Sequence, residues 1–144
     1  MQSALRLRSN RPLVDPIFQQ HGFPARSPYV EFCYAGIIGP SAMLALRLAT
    51  AMLEGAGGEP VTVDADELAH SLGLGGGTGP NSKIQRTLHR LERFQLAQPR
   101  PDGYGIHLYV PPLTRARQLR ATPTVQRIHE RLMARRQSEA DQAG

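Results

Sequence analysis

The chain has 144 residues, of which 17 are basic and 12 are acidic, and its formal net charge is +5. This length suits one domain with appended segments, because about two thirds of the unfolded surface of such a chain can be buried. Its sequence contains neither a long apolar run nor a secretory leader pattern, so we expect a cytoplasmic protein that has no membrane contact.

The first third of the chain predicts an arm, a strand and a core helix. Residues 1–28 contain five proline or glycine residues and lack sustained periodicity, which predicts a flexible or wrapping N-terminal arm. The apolar run 29–38 predicts a short buried strand or an extended lead-in, in which Cys33 is a buried small hydrophobe. A nearly continuous apolar segment over residues 41–55 predicts a core helix. Its helical repeat consists of Leu44, Leu48, Ala51 and Met52.

A short strand, a capped helix and a glycine-rich loop are predicted next. Residues 61–63 favour a strand, and Asp64 is a good N-cap because Glu67 follows three residues later. The second helix is expected over residues 65–72. Five glycines and a proline in residues 73–80 then predict a loop.

The segment 81–96 predicts an amphipathic helix that is capped by Asn81 or Ser82. Ile84, Leu88 and Leu91 repeat at helical spacing and are expected to face the core. Phe94 or Leu96 continues this seam, and the opposite face offers only hydrogen bonds and positive charge. At 100° per residue, Ser82, Arg86, His89 and Arg93 lie opposite the core seam, Lys83 and Arg90 lie on one flank and Gln85 lies on the other.

A hairpin and a helical extension complete the chain. Residues 97–110 predict two strands around an Asp-Gly turn. Residues 113–136 predict a C-terminal helical extension, and residues 137–144 a disordered tail. The last helix carries an apolar stripe of Val125, Ile128 and Leu132, which packs either on its own domain or on a second copy in a homodimer.

Charge is divided unevenly along the chain. Residues 30–80 hold one basic and six acidic residues, a net charge of −5, whereas residues 81–136 hold 12 basic and three acidic residues, a net charge of +9. A one-sided basic field attracts polyanions and raises their rate of capture. This asymmetry favours a nucleic-acid partner, although a merely solvated basic face is equally compatible with the charge alone.

The predicted order of elements over residues 40–110 resembles the winged helix-turn-helix superfamily. The segments that carry the resemblance are LRLATAML, VTVDADELAHSLG, NSKIQRTLHRLERFQLAQ and PRPDGYGIHLYV. The resemblance implies a mainly α fold with a small β-hairpin wing (α+β), in which residues 29–112 form the winged-helix domain. The loop 73–80 is longer than the turn of a standard helix-turn-helix.

The resemblance also implies that helix 81–96 lies in the major groove of double-stranded DNA and that the wing touches the backbone. Arg86 then addresses guanine and Gln85 adenine, while Ser82 and His89 meet bases or phosphates. Phosphate contacts are expected from Lys83, Arg90 and Arg93 on the helix and from Arg100 on the wing.

Three functions fit these features. The first is a sequence-specific transcriptional regulator, and the second is an interaction module whose basic face docks an acidic protein. The third is a non-specific architectural DNA binder. Salt dependence and sequence preference of binding distinguish them.

Catalysis and cofactor binding are not expected. The five histidines lie on separate predicted elements and lack metal-ligand spacing. These residues are His21, His70, His89, His107 and His129. Among them, His129 is expected on the polar face of the last helix. A nucleophile elbow and a pair of carboxylates in an apolar setting are also missing from the sequence, so we expect neither an enzyme nor a cofactor.

Overall fold

The computed structural model describes residues 4–10 and 22–143, which form an α+β fold of six helices and six strands. The strands are β1 Ala4–Ser9, β2 Phe23–Pro24, β3 Val61–Asp64, β4 Ala97–Arg100, β5 Gly103–Ile106 and β6 Tyr109–Val110. The helices are α1 Pro28–Ile38, α2 Pro40–Gly55, α3 Ala65–Ser71, α4 Lys83–Arg93, α5 Arg115–Arg120 and α6 Pro123–Ala143. The expected α+β class is confirmed. Half of the arm expected over residues 1–28, namely residues 1–3 and 11–21, lies outside the described residues.

A four-stranded mixed sheet has the order β3-β1-β5-β4, in which β1 is antiparallel to β3 and parallel to β5. Part of the expected N-terminal arm is therefore the second strand of the sheet. Its alternating sequence explains this position: Leu7 is 1% exposed on the core side, whereas Arg6 points away and donates to Thr62 Oγ1 at 3.2 Å. A second small sheet pairs β2 with β6.

Residues 29–38 form helix α1, so the predicted strand is wrong. Pro28 occupies the first turn, where its missing N–H costs no hydrogen bond. Buried residues recur at helical spacing, namely Tyr29, Val30, Cys33, Tyr34 and Ile38. Helix α1 packs between α2 and α6 and is covered on more than one side, and Glu31 is its only charged residue, so the run has too few polar positions to identify a helix. The predicted burial of Cys33 is confirmed, at 2% exposure.

Helix α2 is the central core helix, as predicted, but it buries a different stripe. The buried residues are Ala42, Met43, Ala45, Leu46, Ala49, Thr50 and Leu53. Leu44, which begins the predicted repeat, is 48% exposed. Both stripes are apolar, so spacing alone does not determine which one faces α1, α4 and β1.

The predicted helix N-caps are present. The Asp64 carboxylate accepts the backbone N–H of Glu67 at 3.1 Å, and the Ser82 hydroxyl accepts that of Gln85 at 3.3 Å. These contacts satisfy N–H groups that have no partner inside the helix. They therefore fix where α3 and α4 begin.

Helix α6 continues to Ala143, whereas a disordered tail was expected from residue 137. Val125, Ile128 and Leu132 are partly buried and pack against the core of their own chain. The apolar stripe is thus largely accounted for within one protomer. It does not by itself require a second copy.

His129 is 7% exposed, so its predicted place on the polar face of the last helix is wrong. Its Nδ1 lies 2.6 Å from the Tyr29 hydroxyl, which also accepts the Leu113 N–H at 2.9 Å. The Tyr29 proton is therefore available to a neutral His129. This buried bond ties α6 to α1.

Stability is expected to fall in mild acid. Burial lowers the pKa of His129, an effect that the nearby Glu130 partly offsets. Because the unfolded chain binds this proton more tightly, the contribution of His129 is complete above about pH 6.5 and is lost as the pH falls below that value. Urea unfolding at about pH 7.5 and pH 5.5 tests this: the variant His129→Gln should lose less stability on acidification than the wild type. An equal loss in both proteins would contradict the assignment.

Candidate nucleic-acid interface

Helix α4 is held against the core by one apolar face. Ile84, Leu88 and Leu91 are each no more than 3% exposed, as the sequence predicts. The helix packs on α2 and α3 and is followed by β4, so its orientation is fixed by the core and by the sheet. The opposite face necessarily points to solvent.

The solvent face of α4 carries cations that have no acidic partner. Lys83, Arg86 and Arg93 are exposed, as is His89 between them. None of these four side chains forms a hydrogen bond or an ion pair with the described residues. We call them the α4 basic face.

The acidic first half of the chain does not neutralise this face. Glu31 pairs with Arg47 at 2.9 Å, and Glu54 lies 3.6 Å from Arg26. Asp64 caps α3. The basic character of α4 is therefore available to a partner.

Arg90 differs from the other arginines of α4. Its guanidinium donates to the Ile37 carbonyl at 3.3 Å and lies 5.7 Å from the centroid of the Phe94 ring. A cation over an aromatic face is stabilised by the quadrupole of the ring. Arg90 is exposed, as its expected role as a phosphate contact requires, but part of its guanidinium already contacts its own chain.

The N-terminal half of α4 faces the tip of the β4–β5 hairpin across an open groove. Gln85 is half-buried and lines this groove together with Arg100 and Tyr104. Ser82 also belongs to this end of the helix, but its hydroxyl oxygen accepts the N–H of Gln85 as the cap. Gln85 is therefore the α4 side chain that lies beside the hairpin tip.

The hairpin tip is tied to β1 by polar contacts. Arg100 donates to the Asn10 Oδ1 at 3.1 Å, and Asn10 itself is buried. Arg8 forms two hydrogen bonds to the Asp102 carboxylate, at 2.7 and 3.0 Å, which lower the pKa of Asp102. Arg8 compensates the charge of Asp102, which is the only acidic residue of the turn. The positive charges of Arg6 and Arg100 therefore remain, and the hairpin tip is basic.

Sequence reasoning missed Arg6 and Arg8 as members of this edge. The available signal is the alternation of leucine and arginine in the segment ALRLRS, which is typical of a half-buried strand. The neighbouring prolines and glycines of the first 28 residues obscured it. Pairing of β1 with β5, nearly 100 residues later, is a long-range contact that local patterns do not specify.

Two further observations concern metal binding and membrane insertion, and both refer to residues 4–10 and 22–143. Within those ranges, the His, Cys, Asp and Glu side chains form no group of three that could hold a metal ion. None of the helices in the same ranges has the length and apolar character needed to cross a bilayer. No protein-family model, curated protein or solved structure matches this chain. The function therefore has to be inferred from the chemistry of the α4 basic face and the hairpin tip.

Proposed function

We propose that this chain is a winged-helix protein that binds double-stranded DNA and acts as a sequence-specific regulator of transcription. The observation that carries the proposal is the α4 basic face, whose side chains are exposed and have no acidic partner among the described residues. An exposed helix face with guanidinium groups suits the width and the negative potential of the major groove. The basic hairpin tip beside it suits the adjacent phosphate backbone.

The order of the elements supports the same proposal. Helix α2, strand β3, helices α3 and α4 and the β4–β5 hairpin follow one another as helix one, strand, helix two, recognition helix and wing do in that superfamily. Strand β1 is an addition to this plan, inserted between β3 and β5. It brings two further arginines to the wing.

Roles are proposed from position along α4. Arg86 lies near the N-terminal end, where a recognition helix meets base edges, and its guanidinium can donate two parallel hydrogen bonds to guanine. Gln85 can both donate to and accept from adenine. Lys83, Arg90 and Arg93 contact phosphates, and one N–H of Arg90 also donates to the Ile37 carbonyl.

Selection of bound duplexes from a random pool tests binding, specificity and half-site symmetry in one experiment. The expected result is a short enriched motif, which is palindromic if two copies bind. Binding without enrichment would contradict sequence specificity and indicate an architectural DNA binder. Undetectable binding at 50 mM salt would contradict the whole proposal and favour an acidic protein partner.

Two arginine substitutions are expected to have different consequences. Arg86→Ala should relax preference at one base position at a cost of about 1 to 3 kcal/mol on the selected site, whereas Arg93→Ala should weaken all sequences alike. Arg131→Ala is the matched control, because Arg131 is equally exposed but lies on α6. Competition binding of the selected site and its single-base variants measures both effects. If Arg86→Ala weakened binding to all of these duplexes equally, Arg86 would have no role in base recognition.

A further inference from the structure

A cavity of about 400 Å³ lies between α1, α5, the start of α6 and the end of α4. Ile37, Phe94 and Val125 contribute apolar walls, and Arg117 and Arg120 stand at its edge. Its volume falls within the range of about 300 to 1,000 Å³ that is usual for small-molecule sites. Apolar walls with a few convergent polar groups are also typical of such sites.

An exposed glycine lines this cavity. Gly36 lies inside α1 and lines the cavity, and a Cβ at this position would meet no atom within 4 Å. Its backbone is not in the left-handed region, so the fold does not require glycine there. Glycine inside a helix costs about 0.5 to 1 kcal/mol relative to alanine. Neither close packing nor backbone geometry explains why glycine is present here despite this cost in helix stability. A larger side chain at position 36 would, however, occupy space that belongs to the cavity.

The cavity is electropositive. Arg117 and Arg120 form no ion pair with the described residues, and no acidic side chain lines the cavity. Arg117 lies 5.4 Å from the centroid of the Phe94 ring, which fixes its guanidinium beside the apolar wall. Cys33 adds no negative charge, because burial raises the pKa of its thiol to about 11.

We propose that this cavity binds a small amphipathic anion, with an aromatic body between Ile37, Phe94 and Val125 and a carboxylate or sulfonate held by the two arginines. An aromatic ring matches the apolar walls, to which the half-buried Phe94 contributes. Guanidinium groups recognise such anions through paired, charge-assisted hydrogen bonds. This site is separate from the α4 basic face, and its test does not involve DNA.

Anilinonaphthalene sulfonate, a fluorescent aromatic anion, is the probe. Titration of the full chain should give saturable binding of one probe per protein. Gly36→Met fills the cavity with a good helix former and should weaken binding at least about tenfold while unfolding at the same or a higher temperature. Arg120→Gln removes a charged donor and should weaken binding about tenfold. Arg127→Gln is the control, because Arg127 is exposed on α6 but does not line the cavity.

Phenylnaphthylamine, a neutral analogue of the probe, distinguishes binding to the apolar walls from binding to the two arginines. Its binding should be weaker than that of the sulfonate, sensitive to Gly36→Met and insensitive to Arg120→Gln. Absence of saturable binding of the sulfonate would overturn the proposal. Equal binding of the sulfonate by the wild type and Gly36→Met would also overturn it, because the probe would then occupy another surface.

Discussion

Raising the salt concentration from 50 to 200 mM is expected to weaken DNA binding about 500-fold. This figure follows from a slope of about −0.9 in log affinity against log salt for each phosphate neutralised, with about five phosphates contacted. The cations available for those contacts are Lys83, Arg90 and Arg93 on α4 and Arg6 and Arg100 beside the hairpin tip. Fluorescence anisotropy with a labelled duplex of about 25 base pairs measures the slope.

The slope also tests individual residues. Arg93→Ala should reduce its magnitude by about 1, because one phosphate contact is lost. Arg131→Ala should leave it unchanged although it removes the same charge from the protein. A slope near zero in the wild type would show that the α4 basic face does not neutralise phosphates and would contradict the proposed function.

Some features were predictable because their signals are local. The caps at Asp64 and Ser82 depend on residues three positions away, and the seam of Ile84, Leu88 and Leu91 depends on a strong contrast between apolar and charged positions. The same contrast gave the orientation of α4 and hence the exposure of Arg86 and Arg93. The candidate site was therefore the most predictable part of the chain.

Other features depend on contacts that no local pattern contains. Residues 29–38 are apolar on nearly every side because α2 and α6 cover them, so their composition resembles that of a buried strand. Helix α2 carries two apolar stripes, and packing against α1, α4 and β1 selects between them. Arg90 is exposed, as its spacing predicts, yet its guanidinium also contacts the Ile37 carbonyl and the Phe94 ring, which lie on other parts of the fold.

Insertion of β1 is the least local of these features, and it depends on a close approach between two backbones. Arg6 pairs with Gly103, and the Arg6 N–H donates to the Asp102 carbonyl at 2.8 Å. A Cβ at position 103 would lie 2.6 Å from the Arg6 nitrogen and would overlap the Arg6 carbonyl oxygen. Backbone atoms in a paired strand have little freedom to move aside, so any side chain at this position should displace β1 from β5.

Gly103→Ala is therefore expected to lower the free energy of unfolding by about 3 kcal/mol, because displacement of β1 exposes Leu7 and breaks ladder hydrogen bonds. Leu7 is 1% exposed, and Leu7→Ala should cost a similar amount, about 2 to 5 kcal/mol. Gly75→Ala is the matched control, since a Cβ there meets no atom within 4 Å and its φ is not positive. Urea unfolding followed by circular dichroism compares the three variants. If Gly103→Ala were as stable as Gly75→Ala, the close contact between β1 and β5 would not limit stability. The pairing that places Arg6 and Arg8 beside the hairpin tip would then be contradicted.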